Sequence, residues 1–587
     1  LKGSKYPYSS SLGGLPNPAL IMAMFSIFIG VLISHALHVD SAGLRGQNVP
    51  EVSAQDVEAS LLTELASTFR PGTPQDHISK LEAELRPMFN VVPKGKDGTL
   101  SHAVVRYVLH RFFAQQYGWF IRGLEPGTGS ATKIPRQQEA TGLENLQEWV
   151  PSYVQSFLEQ LQGDRGISLR ELAIVAGTLE DLIHKEAVAR LRQGYDALMF
   201  PQDVPLNDQM ARQALEIYMM IYMLAGNFTL KGPAQVMRAH DLFTKKIKDW
   251  GTSQEWMHGI QMELFPNSAQ TPLQFNDTAR IVEEVGRRYG VYNDKECNKL
   301  KSELLSIESK KAGRVRLTEF YKKGLTGVFE FNEKVEYLRA LGALDESDAN
   351  QTFVIVPNYV ASRPNCLVAS SFYAVCCRNE CEDLMTTLEQ KISSGMAKPK
   401  EILEIVSSLP SSTVPRDRQI SVGMSQKLER LAENNGGLVP LHGRLFALWM
   451  HHAYPRECPH PHKTGTTSPQ TPDEWMETTG QTESSLSKEE AMQHIDNDVC
   501  DESCAGPVGS DARHHHHFAE NELPWDDAEE LLSPSKSIEE IDQREPQQRG
   551  SLLMRFVWLL LPGVLFLAFK LVFSNIGTPH SKLPLHY

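Results

Sequence analysis

The sequence predicts a mainly α-helical luminal or extracellular body with a disulfide-stapled C-terminal part, held by a single-pass C-terminal membrane helix. Three observations predict it: apolar stretches at both ends, helical periodicity through the body, and a cluster of cysteines late in the chain. The C-terminal stretch, Leu552 to Phe573, is about 22 residues long, and at about 1.5 Å per residue it matches a hydrocarbon core of about 30 Å. Arg555 and Lys570 stand near its ends, where long cationic side chains reach the headgroups. Pro562 is tolerated in a membrane helix and kinks it. The N-terminal stretch, Pro18 to Val39, follows Lys2 and Lys5 and ends among small residues at Ser34 to Ala36 and Val39 to Ser41. That is the pattern of a cleaved secretory signal, with an uncleaved signal anchor as the alternative. Either places the body in the secretory pathway or at the cell surface as a type I protein, leaving residues 574–587 as a short cytoplasmic tail.

Between the ends the chain divides by composition and pattern. Residues 1–42 form the signal segment, 43–126 an N-terminal helical region, 138–345 a central helical domain and 346–462 a Cys/His-rich domain. An acidic stalk (463–550), the membrane helix (551–573) and the tail follow. Residues 54–88 carry two amphipathic patterns interrupted by the turn signal RPGTP. A helix is predicted over His102 to Gln116, with Val105, Leu109, Phe112 and Phe113 on one face. After a Gly, Thr and Pro-rich loop near 125–137, a long helical set runs from 143 to 260. Its last member, ARQALEIYMMIYMLAG (211–226), is apolar around most of its circumference and is predicted to be central. The best strand candidate is TFVIVPNYV, Thr352 to Val360.

The composition is 41% hydrophobic and 22% charged, ordinary for a globular protein. The net charge of -14 is concentrated: residues 463–550 hold 21 acidic against 6 basic residues. The body is therefore close to neutral, which argues against a nucleic-acid partner, since that needs a basic surface. The acidic segment, rich in Ser, Thr and Pro, reads as a disordered stalk. Within it ELPWDDAEELL (Glu522 to Leu532) reads as a short docking helix or as a transient helix in a linker.

Two segments share part of the EF-hand pattern. In PKGKDGTLSHAV (93–104), Gly98 and Leu100 match, while Pro93, Gly95 and Val104 stand where ligands belong. In ESKKAGRVRLTEF, Glu308, Gly313, Val315 and Glu319 match positions one, six, eight and twelve, but Lys310 and Ala312 occupy ligand positions. Calcium needs six to eight oxygens, so Glu308 and Glu319 alone make a poor site.

Of eight cysteines, Cys366, Cys376, Cys377 and Cys381 lie close together and Cys458 follows, while Cys500 and Cys504 fall in the acidic stalk. In a secretory chain disulfides are the expected explanation. Neighbouring Cys376 and Cys377 point in different directions, so each seeks a separate partner, with Cys366, Cys381 and Cys458 as candidates. A competing reading is zinc, held by His442, His451, Cys458 and His460. The tract His514 to His517 is a weaker metal candidate in the stalk.

These blocks also carry a resemblance. VPNYVASRPNCLVASSFYAVCCRNEC (356–381), GLVPLHGRLFALWMHHAYPRECPHPH (437–462), TPDEWM (471–476), RYVLHRFFAQQYGWFIRGLEP (106–126) and ISLRELAIVAGTLEDLIHKEA (167–187) resemble a family of secretory, membrane-anchored proteins of algae such as diatoms and dinoflagellates. The resemblance implies architecture and compartment and no particular chemistry.

The common motifs of hydrolases, phosphate loops, zinc proteases and dinucleotide sites are absent from the sequence. Asp181 and His184 stand one helical turn apart as a candidate acid-base or ligand pair, with a surface ion pair as the plainer reading. Sequons at Asn227, Asn276 and Asn350 agree with a luminal body. The expected function is a non-enzymatic structural or adaptor ectodomain that binds another protein and contacts membrane lipid through its C-terminal helix. The alternatives are a metal-dependent enzyme using the cluster at 442–462 and a calcium-responsive module.

Overall fold

The computed structural model describes residues 74–124, 166–224, 232–247, 249–348, 351–369, 373–496 and 525–532. All belong to one compact unit that ends at Leu532. The apolar segments 18–39 and 552–573, the sequons at Asn227 and Asn350, Cys500, Cys504 and His514 to His517 lie outside the described residues. Among the described residues no helix is long and apolar enough to cross a membrane.

The fold is mainly helical and begins with α1 (Pro74–Val91), α2 (His102–Tyr117), strand β1 (Trp119–Ile121) and α3 (Leu169–Leu198). The second helix matches the span predicted from its apolar face. It is followed by α4 (Asp208–Met223), α5 (Pro233–Lys246), α6 (Trp250–Leu264) and α7 (Phe275–Leu305). Nine residues of α4, from Ala211 to Tyr222, are buried in the first core cluster, so the predicted central helix is central.

One local device recurs here. An apolar residue ends an interhelical loop, the next residue caps the following helix, and the apolar residue bridges antiparallel to an equivalent loop. Leu100 and Ile167 exchange both backbone hydrogen bonds at 2.9 Å, and Leu206 and Leu273 do the same at 2.8 Å. The caps are polar, as helix starts require. Ser168 forms a capping box with Glu171, Asn207 accepts from the Met210 N–H, and Asp277 accepts from the Gln274 N–H. Leu206 and Leu273 each lie 106 residues beyond Leu100 and Ile167. The helices that follow the bridges match in length, 16 and 16 residues for α2 and α4, 30 and 31 for α3 and α7. The helical body thus holds two copies of this bridged pair of helix starts. Where α2 ends, Gly118 adopts a left-handed φ of 70° and packs against Gly290 of α7. A side chain on Gly290 would collide with the Tyr117 carbonyl, so the two backbones meet only as glycines.

A second core cluster contains β2 (Arg314–Arg316), α8 (Leu317–Thr326), α9 (Val335–Ala340), β3 (Leu344–Asp348), β4 (Gln351–Ile355) and α10 (Val356–Val360). The strands form one antiparallel sheet in the order β2-β4-β3. The predicted strand over Thr352 to Val360 therefore stops at Ile355. Pro357 falls in the first turn of α10, where its missing N–H costs nothing and its fixed φ favours the helix.

The Cys/His-rich region does not fold as one domain over 346–462. Strands β5 (Leu367–Val368) and β6 (Tyr373–Val375) join β1 in an antiparallel sheet against the first cluster, and Cys377 belongs to the second. Only 381–458 builds the third cluster, from α11 (Glu380–Ile392), β7 (Met396–Ala397), α12 (Pro399–Ser408), α13 (Val422–Glu433), β8 (Val439–Pro440) and α14 (Arg444–Ala453).

The stalk reading fails for 463–496. Here α15 (Pro472–Thr479) and α16 (Lys488–Asp496) fold onto the second cluster, burying Trp475 and Ala491. Trp475 packs 5.1 Å from the Tyr337 ring, and Thr471 and Glu474 form a capping box. The overall acidity masked a few apolar residues at helical spacing, which suffice because a preformed core receives them.

Candidate functional site: an acidic segment on the Cys/His-rich unit

Three disulfides fix this part of the chain: Cys297–Cys377, Cys366–Cys376 and Cys381–Cys458. Cys376 and Cys377 do take separate partners. Cys297, which no local spacing pointed to, is the partner of Cys377 and lies in α7.

The zinc reading does not survive the geometry. Cys458 is bonded to Cys381 and offers no thiolate. His451 Nδ1 sits 2.6 Å from the Cys458 carbonyl and Nε2 3.1 Å from the Arg314 guanidinium. A carbonyl only accepts and a guanidinium only donates, so the ring is neutral with its proton on Nδ1 and both nitrogens engaged. Burial, then the Arg314 charge, hold this imidazole well below its usual value. His442 instead donates from Nε2 to Glu389 (2.9 Å). Glu389 also accepts from Arg111 of α2 (2.7 Å), a buried link between the first helical copy and this unit. His460 packs between His451 and His462, with ring centroids at 5.3 and 5.0 Å. Among the described residues no group of three or more His, Cys, Asp or Glu is arranged to hold a metal ion.

The calcium reading is corrected for a different reason. Glu308 accepts from the Gly313 N–H and takes a fork from Arg456, with Nε 2.8 Å and Nη2 2.7 Å from its two oxygens. A guanidinium thus supplies the positive charge in this loop. Glu319 points to Lys322 at 2.7 Å. Nor do Asp181 and His184 act together. Asp181 pairs with Lys185, whereas His184 faces Glu180 and the edge of Trp119. Glu180 is buried and binds His77 (2.9 Å), Tyr117 (3.1 Å) and Arg287 (3.3 Å). Burial alone would raise this carboxyl, yet the His77 hydrogen bond and the Arg287 charge hold it down to about 2. Of the sequons, only Asn276 is described, exposed in the first turn of α7.

The most specific polar arrangement lies where the acidic segment returns. Residues 525–532 are extended and lie across the N-terminus of α14, bridging Leu531 to Gly443. Both helical readings of Glu522 to Leu532 are corrected over 525–532, which forms no helix and is bonded to the body; residues 522–524 lie outside the described residues. Arg444, with a side chain only 5% exposed, grips the 39% exposed Asp526 carboxylate through both Nη atoms at 2.7 and 2.6 Å. Its Nη1 also donates to the Ala528 carbonyl at 2.7 Å. The first free N–H groups of α14 are taken too: Arg444 N donates to the Glu530 carbonyl (3.0 Å) and Leu445 N to Glu529 Oε1 (3.1 Å). These are groups the helix cannot satisfy internally, at the end that favours negative charge. Thr464 donates to Glu530 from both its N–H and its hydroxyl, and the Leu532 N–H reaches the His442 carbonyl at 3.4 Å. Trp525 lies beneath Lys427, whose Nζ is 4.4 Å from its centroid, and beside His452 at 6.3 Å. A side chain on Gly443 would press on Glu529 and Leu531, so the strap has a fitted bed.

Arg444, Lys427, Gly443 and Thr464 were not singled out by the sequence, because each contacts a segment 66 to 98 residues further on. The signal that existed was the mix of Trp and acidic residues in ELPWDDAEELL. Comparison with known proteins gives no match to a family model, a curated protein or a solved structure.

Proposed function

We propose that this chain is a non-enzymatic, membrane-anchored ectodomain of the secretory pathway or cell surface that works as a protein-interaction module. The observation that carries the reading is the seating of residues 525–532 on Arg444 and the first turn of α14. A short peptide is read there by side chain, backbone and ring contacts together, as in peptide-recognition sites that use an Arg and a helix end. Three disulfides among the described cysteines support an oxidising compartment. The apolar segment 552–573 supports the anchor, and the resemblance to membrane-anchored algal proteins supports the same compartment.

The test is the native size of the protein after mild detergent extraction, with cross-linking before lysis. The expected result is a complex larger than the monomer, containing at least one other polypeptide. A monomer with no cross-linked partner would overturn the reading.

A further inference from the structure

We infer that the bed around Arg444 is a recognition site for acidic-aromatic peptides of the Trp-Asp-Asp-x-Glu-Glu type, which the chain's own residues 525–532 occupy in cis. The inference rests on the interaction-module reading and names its partner class and its regulation. A protein partner carrying such a segment engages only by displacing the chain's own copy.

Three features make this a host-and-guest arrangement and not ordinary core packing. The first is asymmetry of burial: the Arg444 side chain is 5% exposed and its Asp526 partner 39%. The Arg444 side of the contact is built into the third core, while the guest is half-buried, with Asp527, Glu530 and Leu531 exposed and Trp525 and Leu532 packed at the edges of the cores. The second is the density of reading. Within eight residues the guest supplies one carboxylate to a two-pronged guanidinium, a second to a helix-start N–H, a third to Thr464, and an indole to a lysine. Bidentate guanidinium contacts and filled helix starts read oxyanions in fixed geometry, here the carboxylates of the guest. The third is modularity. Residues 497–524 separate the guest from α16, so the contacts depend on the guest sequence and not on chain continuity with its host. The charges complement one another: Arg444 and Lys463 face Asp526, and the Asp527 charge acts on Lys427.

A peptide in trans competes with a covalently linked copy, whose binding is intramolecular and therefore favoured over that of a free peptide. Weakening the tethered copy should therefore expose the site. The experiment uses the full chain in detergent and a fluorescein-labelled peptide of sequence ELPWDDAEELL, read by anisotropy. The double variant Trp525→Ala/Asp526→Ala should bind the peptide at least about tenfold more tightly than the wild-type chain. Adding Arg444→Ala to that variant should abolish binding, and a scrambled peptide should not bind. Melting temperature and mass-mapped disulfides confirm that each variant is folded. Failure of the folded double variant to bind, or equal binding by wild type and double variant, would overturn the inference. So would a wild-type dimer that requires Arg444 and dissolves on adding peptide, because the site would then belong to a second copy. If the peptide fails while the native complex persists, this inference falls and the proposed function stands. If the complex is absent too, both fall.

Discussion

Two arginine-carboxylate forks in this protein have similar distances and different consequences, Arg456 binding side-on through Nε and Nη2 and Arg444 end-on through both Nη atoms. Arg456 grips Glu308, which is 14% exposed, and in doing so pins the loop before β2 to the segment that carries Cys458. Arg444 grips Asp526, which is 39% exposed. In the first pair the acid is sunk in the body and the arginine closes over it. In the second the arginine is sunk and the acid is presented from outside. Which partner the core owns decides whether a fork acts as a staple or as a reading head. Breaking either pair leaves a buried charge behind, Glu308 in the first and Arg444 in the second, so the released Arg444 calls for another carboxylate in place of Asp526.

The comparison can be broken most severely through the host. Replacing Cys381 and Cys458 by alanine removes a cross-link over 77 residues, worth about 4 kcal/mol by the chain-entropy estimate. Both forks should loosen, with a clear fall in melting temperature and loss of the strap's protection from protease. The staple alone comes next. Arg456→Ala should destabilise by about 2 kcal/mol, since it strands a largely buried Glu308. Thermal melts in parallel with Glu308→Gln/Arg456→Ala should recover part of the loss; equal melts would put the cost in packing and not in charge.

Acid should sharpen the contrast by loosening the body before the strap. Burial, chiefly, lowers His184 to about 4 and His460 to about 3. For a depressed histidine the neutral form stabilises the fold fully above the unfolded value near 6.5. That contribution is lost as pH falls from there toward 4 and 3. At pH 5 each histidine should cost about 2 kcal/mol relative to pH 7.5. Glu180, held at about 2, keeps its stabilising charge throughout this window and loses it only below about 4.5. A melting temperature that does not fall between pH 6.5 and 5 would contradict the buried neutral rings. The smallest effect on stability is expected at the reading head. Asp526→Ala should cost about 1–2 kcal/mol, because the buried Arg444 guanidinium keeps only its contact to the Ala528 carbonyl. Millimolar calcium should leave the wild-type melt unchanged, because Arg456 occupies the charge position at Glu308.

What was legible in the sequence follows the range of the interactions. The periodicity of His102 to Gln116 and the apolarity of 211–226 around most of its circumference are local, and both helices form, the second ending at Met223. The divergence of Cys376 and Cys377 is local geometry and holds. The recurrence of the bridge at a spacing of 106 residues was hidden because its two copies share only an apolar residue, a polar N-cap position and helix length. The histidines looked like ligands because chain proximity gathers them. In three dimensions Arg314 from β2 and Glu389 from α11 reach in and use their nitrogens. Residues 463–496 looked like stalk because their charge is visible in composition, whereas the surface that receives Trp475 is assembled from residues more than 100 positions earlier.

The most direct test of the host-and-guest account is hydrogen exchange of the full chain, wild type against Asp526→Ala, resolved at residues 443–445, 464 and 525–532. The account predicts faster exchange of the Arg444, Leu445, Thr464 and Leu532 amides, with the rest of α14 and the other two cores unchanged. Unchanged protection at those four amides, or deprotection spreading through the whole Cys381–Cys458 unit, would contradict it.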